Sequence, residues 1–354
     1  MLRDDHLNTA VKSGVITAEQ AAALRQQAGA SPSAEPTDSE TPRVTRGFND
    51  VMLALGTALI TIALITQWGL PGTEVAPAVY ATVPVLWLIS ELLDVRRKAV
   101  LPGIVAVLGI SLAAAYIGMR YGVVRSDPTA ATGSLRAAFN VPVGVALSMA
   151  SAVALANTIY YARFRLPFAL LPLALGIGIA GVQALILLFG WERTAAIPQI
   201  LGLVFGLLLF AVAMWYDTSD PLRRTRNADC GFWLHMAAAP LIVHSLLSIF
   251  GGSALARSGA GTGLTMALIA VMTLVALAID RRALIVASLS YLLAAVGYLV
   301  STASQLLGGS TFASLIVLGV VVLVVGMGWH PARRAILAPF RGQPWLANLP
   351  PVKA

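Results

Sequence analysis

Beyond residue 47 the chain is a series of apolar runs broken by short polar loops, and the runs match the roughly 20 helical residues needed to cross a bilayer core of about 30 Å. They fall near 49–68, 75–93, 99–118, 139–158, 168–190, 196–216, 231–250, 262–279, 283–300 and 311–329. This pattern predicts an all-α fold, a polytopic transmembrane helix bundle of about ten spans. The eighth and ninth runs are separated only by Asp280, Arg281 and Arg282. Lipid does not accept such charges, so the two runs read as separate spans joined by a tight turn.

The loops set the orientation, because basic residues accumulate on the cytoplasmic side. With ten spans, 19 Lys and Arg fall on the side of the two termini and five on the other. Each loop on the terminal side is positive, including Arg96–Lys98, Arg223–Arg226 and Arg281–Arg282, so both termini are expected in the cytoplasm. Trp68, Trp191, Trp215, Trp233 and Trp329 all sit at span ends, where amphipathic rings favour the headgroup level, while Trp87 lies well inside its span.

Composition closes off the soluble alternatives. Of 354 residues 58% are hydrophobic and 11% charged, against about 25% charged in a soluble domain, and the mean hydropathy is +0.80. The net charge of +8 lies in short inter-span loops, which argues against nucleic acid as a partner. A single cysteine, Cys230, excludes an intramolecular disulfide and an all-cysteine metal site.

The polar N-terminal stretch divides in two. Residues 1–28 read as a cytoplasmic helical hairpin, with a first helix ending at Gly14 and a second capped by Thr17. Gln20, three residues on, completes a capping box. Its apolar positions (Leu7, Val11, Val15, Ile16, Leu24) make a minimal core or a docking face. Two short helices bury too little to be stable alone, so the hairpin is expected to lean on a partner, a second copy or its own membrane domain. Residues 29–47 are rich in Ser, Pro, Thr and Glu and read as a disordered linker. The transmembrane domain then covers 48–330. Residues 331–354 mix Arg333, Arg334 and Arg341 with Ile336, Leu337, Phe340 and Trp345, a pattern suited to an interfacial tail on the inner leaflet.

Candidate chemistry is sparse. In the seventh span Pro240 deprives the Met236 carbonyl of its helical partner, and His244 and Ser248 follow at one-turn intervals on the same face. His244 is a candidate proton carrier or cavity contact, set against a neutral histidine bonding a neighbouring helix. His235 lies nearer the span's start, on the opposite face, so the two histidines form no ready-made metal pair. Tyr80, Pro84, Trp87 and Glu91 share one face of the second span, with Glu91 the only carboxylate placed within a span and expected to pair near Asp94 and Arg97. Thr57 and Thr61 mark a weakly polar face of the first span. Small-residue spacings at Gly202 and Gly206, and at Gly176 and Ala180, favour close helix packing. No P-loop, no His/Asp/Glu set at metal spacing and no Ser–His pairing can be placed. No cofactor, metal site or catalytic residue is therefore assigned, and an enzyme is not expected.

Four segments carry a resemblance: GVITAEQ (Gly14 to Gln20), FWLHMAAAPLIVH (Phe232 to His244), DRRALIV (Asp280 to Val286) and GWHPARR (Gly328 to Arg334). Together they resemble a family of uncharacterised proteobacterial multi-pass membrane proteins, known as a domain of unknown function with a short N-terminal cytoplasmic hairpin. The resemblance implies the inner membrane of a Gram-negative bacterium and supplies no activity. The sequence thus leads to a non-enzymatic inner-membrane protein with a scaffold, sensor or assembly role through its hairpin, its partners being the lipid bilayer and a protein or second copy. The alternative is a carrier or channel for a small solute, with a cavity around His244 and Tyr80.

Overall fold

The computed structural model describes residues 7, 10, 11, 13–23, 48–68, 78–126, 142–190, 197–223, 225–250, 259–284, 316, 319, 320, 323, 327–340, 342–344, 346, 349 and 350. The chain forms two compact units, Met1–Thr41 and Pro42–Ala354.

In the first unit the predicted hairpin turn is present. Gly14 takes a left-handed φ of +71°, and the amides of Gly14 and Val15 close on the carbonyls of Val11 and Ala10 at 3.1 and 3.0 Å. This is the Schellman arrangement that ends a helix at a glycine. The capping box is reciprocal: Thr17 N–H donates to Gln20 Oε1 (2.9 Å), and Gln20 N–H donates to Thr17 Oγ1 (3.2 Å). Leu7 and Ala21 are buried, whereas Val15 is 76% exposed and stands outside that small core. Leu24 and the linker 29–47 lie outside the described residues.

The second unit is helical wherever regular structure is described. Its helices are α1 (Phe48–Ile65), α2 (Ala78–Ser90, continued by a π-helical turn Glu91–Arg96), α3 (Leu101–Ser126), α4 (Val143–Phe164) and α5 (Leu170–Phe189, entered through a 3-10 turn Pro167–Ala169). Then come α6 (Ile197–Ser219), α7 (Arg226–Phe250), α8 (Gly259–Ile279) and α9 (Trp329–Leu337). Among the described residues seven helices, α1 to α7, are long and apolar enough to cross a membrane, the signature of a multi-pass membrane protein. In α8 the apolar stretch is the shorter Ala267–Ile279. The predicted spans 283–300 and 311–329 lie mostly outside the described residues.

Several helices run past the apolar runs that nucleate them. The third span, expected at 99–118, becomes the 26 residues of α3, about 39 Å at 1.5 Å per residue. Polar residues such as Arg120 do not end a helix; a turn residue does. Thus α8 ends in a second Schellman motif, with Asp280 left-handed (φ 58°) and Arg281 N–H closing on Ala276 O at 2.8 Å. The tight turn expected at Asp280–Arg282 is built this way.

Packing follows the chain. α1 and α2 lie on α3, α3 on α4, and α4 on α5, while α6 pairs most extensively with α7, which also touches α5 and α8. Glycines set the close approaches. A Cβ at Gly118 would come 2.5 Å from the Ser148 carbonyl oxygen of α4, and one at Gly176 would come 2.9 Å from the Ala154 amide nitrogen. Gly202 and Gly206 of α6 meet Ser245 and Ile242 of α7, so the small residues flagged in the sequence do lie at helix contacts.

Two tryptophans expected at the headgroup level are internal. Trp68 is 7% exposed, donates through Nε1 to Thr82 Oγ1 (3.1 Å), and its carbonyl accepts from the Tyr116 hydroxyl (3.2 Å). Trp329 is 1% exposed and heads α9. The indole N–H finds a better fixed acceptor inside than the interface supplies. Trp215 is exposed, and Trp87 packs against Tyr160 and Phe164.

Gly118→Val should destabilise the bundle by about 1–3 kcal/mol, because its methyls meet α4 backbone that cannot retreat. At Gly56, where an added Cβ meets nothing within 4 Å among the described residues, Gly56→Ala should instead be neutral or stabilising by about 0.5–1 kcal/mol. Unfolding midpoints of the two variants in an SDS titration check the contrast.

Candidate functional site

The densest polar cluster gathers where α6 ends, α7 begins and α8 turns. The sequence placed Asp217 just outside the sixth span and left Glu91 as the only carboxylate within one. The structure corrects this, since α6 continues to Ser219 and carries Asp217 on its last turn, 6% exposed. Arg281, in the turn after α8, engages both of its oxygens: Nε donates to Oδ2 at 2.9 Å and Nη2 to Oδ1. Arg281 Nη2 also donates to the Ala228 carbonyl at 3.0 Å. His235 Nε2 lies 3.0 Å from Asp217 Oδ2. Gly231, one turn before His235, faces the carboxylate so closely that a Cβ there would collide with it.

A second cluster adjoins the first. The Asp280 carboxylate accepts from Trp329 Nε1 (2.8 Å) and lies 3.6 and 3.8 Å from the guanidiniums of Arg223 and Arg333. Arg223 Nη2 donates to the Asp280 carbonyl at 2.5 Å, and Arg333 Nε donates to Leu277 O at 3.1 Å. Arg333 thus occupies a carbonyl at the C-terminal end of α8, one of the acceptors every helix end leaves over. Its burial pulls the guanidinium below its usual pKa, opposed by the charge of Asp280. Residues Trp329, Arg333 and Leu337 form the buried stripe of α9, so this part of the expected interfacial tail is seated on α8 with Arg333 inside. The α6–α7 loop is fixed too, by Thr225 donating twice to Asp220 Oδ2 at 2.7 Å.

Two oppositely charged groups buried together hold a structure only if their remaining valences are met. Here the guanidiniums and the indole meet those of both carboxylates. His235 itself is fully buried, with Phe210 edge-on at 5.1 Å, and its Nδ1 has no hydrogen-bond partner among the described residues. His235 does not line the groove described below. The arrangement joins three helix ends and the tail.

The other residues singled out in the sequence are dispersed. His244 is exposed on α7, on the face opposite His235. It lines a lateral groove of about 500 Å³ between α5 and α6, with Ser245, Gln183 and Gln199 as the other polar groups. Ser248 and Pro240 are half-buried, and α7 runs unbroken through the proline. Tyr80 is 58% exposed on α2 and does not line that groove. Thr57 and Thr61 are buried with their hydroxyls bonded back to Leu53 O (2.9 Å) and Thr57 O (2.8 Å), a packing arrangement. Glu91 pairs with Arg163 of α4 at 2.8 Å. Its neighbour Asp94 turns inward, where Oδ2 accepts from the Tyr160 hydroxyl at 2.8 Å, itself 2.8 Å from Ser90 Oγ. Among the described residues no three His, Cys, Asp or Glu side chains come together as a metal site.

No family model matches the chain, and neither a curated protein nor a solved structure is similar to it.

Arg281→Gln should cost about 3–5 kcal/mol, since it strands a buried carboxylate. Adding Asp217→Asn should return a large part of that loss, because the stranded charge is then gone. Thermal unfolding of the two single variants and the double variant, read as a mutant cycle, measures this coupling.

Proposed function

We propose that the protein is a non-catalytic, multi-pass membrane protein of about ten spans, with both termini cytoplasmic, that serves as a scaffold, sensor or assembly factor through its N-terminal hairpin. The positive-inside distribution supports the topology, and the resemblance of the four segments quoted above supports a bacterial inner membrane. The observation that carries the functional reading is the construction of the hairpin. It is closed at its turn by a Schellman motif and a reciprocal capping box, yet it leaves Val15 76% exposed. A hairpin this short needs an external surface to complete its burial. Meanwhile the charged groups at the ends of α6, α7 and α8 are taken up in pairs that hold helices together, which leaves them out of any polar route across the bundle.

Deleting residues 1–46 should release the protein from its complex, or split its dimer, while thermal unfolding of the bundle stays within a few degrees of the parent. Cross-linking in native membranes followed by sizing in mild detergent reads both. A complex of unchanged size after the deletion rejects the docking role.

The groove at His244 favours a second reading, a carrier for a small solute of amphiphilic character. The groove is apolar along Phe205 and Leu208 and places polar groups at the end where α5 stops and α6 starts. A bound solute raises apparent stability by mass action, about 2.7 kcal/mol at a concentration 100-fold above Kd. Thermal unfolding screened against metabolites, ions and lipids should then show a shift in the parent that is lost in His244→Ala. If no solute shifts the parent and the variant merely unfolds earlier, His244 is a packing residue.

A further inference from the structure

The shape of the groove beside His244 decides what lies in it. Its walls are residues 175–185 of α5 and 198–208 of α6, with α7 on the third side. Ten residues of helix rise about 15 Å, half of an apolar bilayer core of about 30 Å. α5 and α6 follow one another in the chain but pack chiefly on other helices, α5 on α4 and α6 on α7, which leaves the space between them open. They close up at Gly178, where a Cβ would come 2.7 Å from the Phe205 ring. Three residues on, Gly181 also lines the groove, and a Cβ added there meets nothing within 4 Å among the described residues. The flanking Ile177, Ile179, Val204 and Leu208 are 48–59% exposed, as side chains turned toward lipid are.

Width separates the occupants. Divided over a length of about 15 Å, the volume of about 500 Å³ gives a mean section of about 33 Å². A helix with its side chains is about 10–12 Å across and fills about 80–110 Å², so a helix of a second copy lies over the groove rather than in it. A single hydrocarbon chain is one methylene wide and enters. An extended chain advances about 1.2 Å per bond, as a polypeptide advances about 3.3–3.6 Å over three, so the groove takes about 12 bonds.

Polarity fixes the head. Gln183, Gln199 and His244 lie at one end. Gln183 and His244 each sit six residues, about 9 Å, before the last residue of their helices, Phe189 and Phe250. No Asp, Glu, Lys or Arg lines the groove among the described residues. A charged head drawn to that depth loses its hydration with no carboxylate, ammonium or guanidinium to meet it. A head of hydroxyls and a carbonyl is matched instead by the glutamine amides, each of which carries both donors and acceptors.

We propose that the groove binds an uncharged single-chain amphiphile, as in a monoacylglycerol. Its chain lies along Gly181 and Phe205, and its head meets Gln183 and Gln199. The proposal rests on the carrier reading for its site and adds the class of ligand, while binding itself requires no transport.

The test uses the full-length protein in phosphatidylcholine vesicles with a trace of a monoacylglycerol of about 12 carbons that carries a diazirine in its chain. Photolabelled residues are mapped by mass spectrometry. Label on the groove walls should exceed by about fivefold that on Leu55 and Leu59, which are 53% and 61% exposed on α1 and report bulk lipid. Gly181→Leu fills the groove without a clash at its Cβ, and should bring the groove label down to the α1 level while the unfolding midpoint stays within a few degrees of the parent. Unlabelled monoacylglycerol should displace the label about tenfold more effectively than lysophosphatidylglycerol of the same chain.

Equal labelling of groove and α1, an undiminished label in Gly181→Leu, or equal displacement by the charged lipid would overturn the proposal. So would an unlabelled groove in a parent whose complex becomes smaller in Gly181→Leu, which gives the groove to a second copy. The two readings fail separately. A soluble solute that stabilises the parent but not His244→Ala, with no label in the groove, keeps the carrier and removes the lipid. Groove label with no stabilising solute does the reverse. Should Gly181→Leu fail to fold, the parent's label ratio and the competition still decide it.

Discussion

The two-pronged contact of Arg281 on Asp217 is the joint on which the second half of the bundle depends. Removing two full charges from water is costly, and their mutual attraction repays it only when each remaining donor and acceptor is occupied. The surroundings do this. Ala228 O takes a further guanidinium proton, His235 shares the carboxylate, and Gly231 omits the Cβ that would block it. Through this one contact the last turn of α6, the start of α7 and the turn after α8 are held in register. The tail helix α9 then has a fixed end of α8 on which to seat Trp329 and Arg333.

Turn chemistry was legible in the chain. Gly14, Thr17 and Gln20 do what their types and spacing dictate, because a capping box and a Schellman turn are local arrangements closed within a few residues. The same holds for the break at Asp280–Arg282 and for the small residues between α6 and α7. The apolar runs located seven helices long and apolar enough to cross a membrane, although α2, α3, α4 and α6 continue several residues beyond their runs.

The polar partnerships were not legible in the same way. Asp217 and Arg281 are 64 residues apart, and Glu91 and Arg163 are 72 apart, so neither pair leaves a periodic trace. Charges near span ends look alike in sequence whether they snorkel into headgroups or turn inward. Asp94 and Glu91, three residues apart on α2, take opposite courses, one toward Tyr160 and the other toward Arg163. Gly231, one turn before His235, is the sequence signal for the buried carboxylate, since a glycine inside a helix marks something approaching closely. Tyr80 and His244 are joined in the sequence by polarity alone, and the groove that His244 lines does not include Tyr80.

The separation of Asp217 from Arg281 also bears on biogenesis. A nascent chain emerges at about 5–20 residues per second, so the carboxylate is made several seconds before its guanidinium partner. During that interval the partner of Asp217 available on the α6–α7 pair is His235. Arrival of the turn after α8 brings the Arg281 guanidinium onto both oxygens and ties the α6–α7 pair to α8. A chain truncated before residue 281 lacks the guanidinium that engages both oxygens of Asp217, so the last turn of α6 loses its tie to the turn after α8.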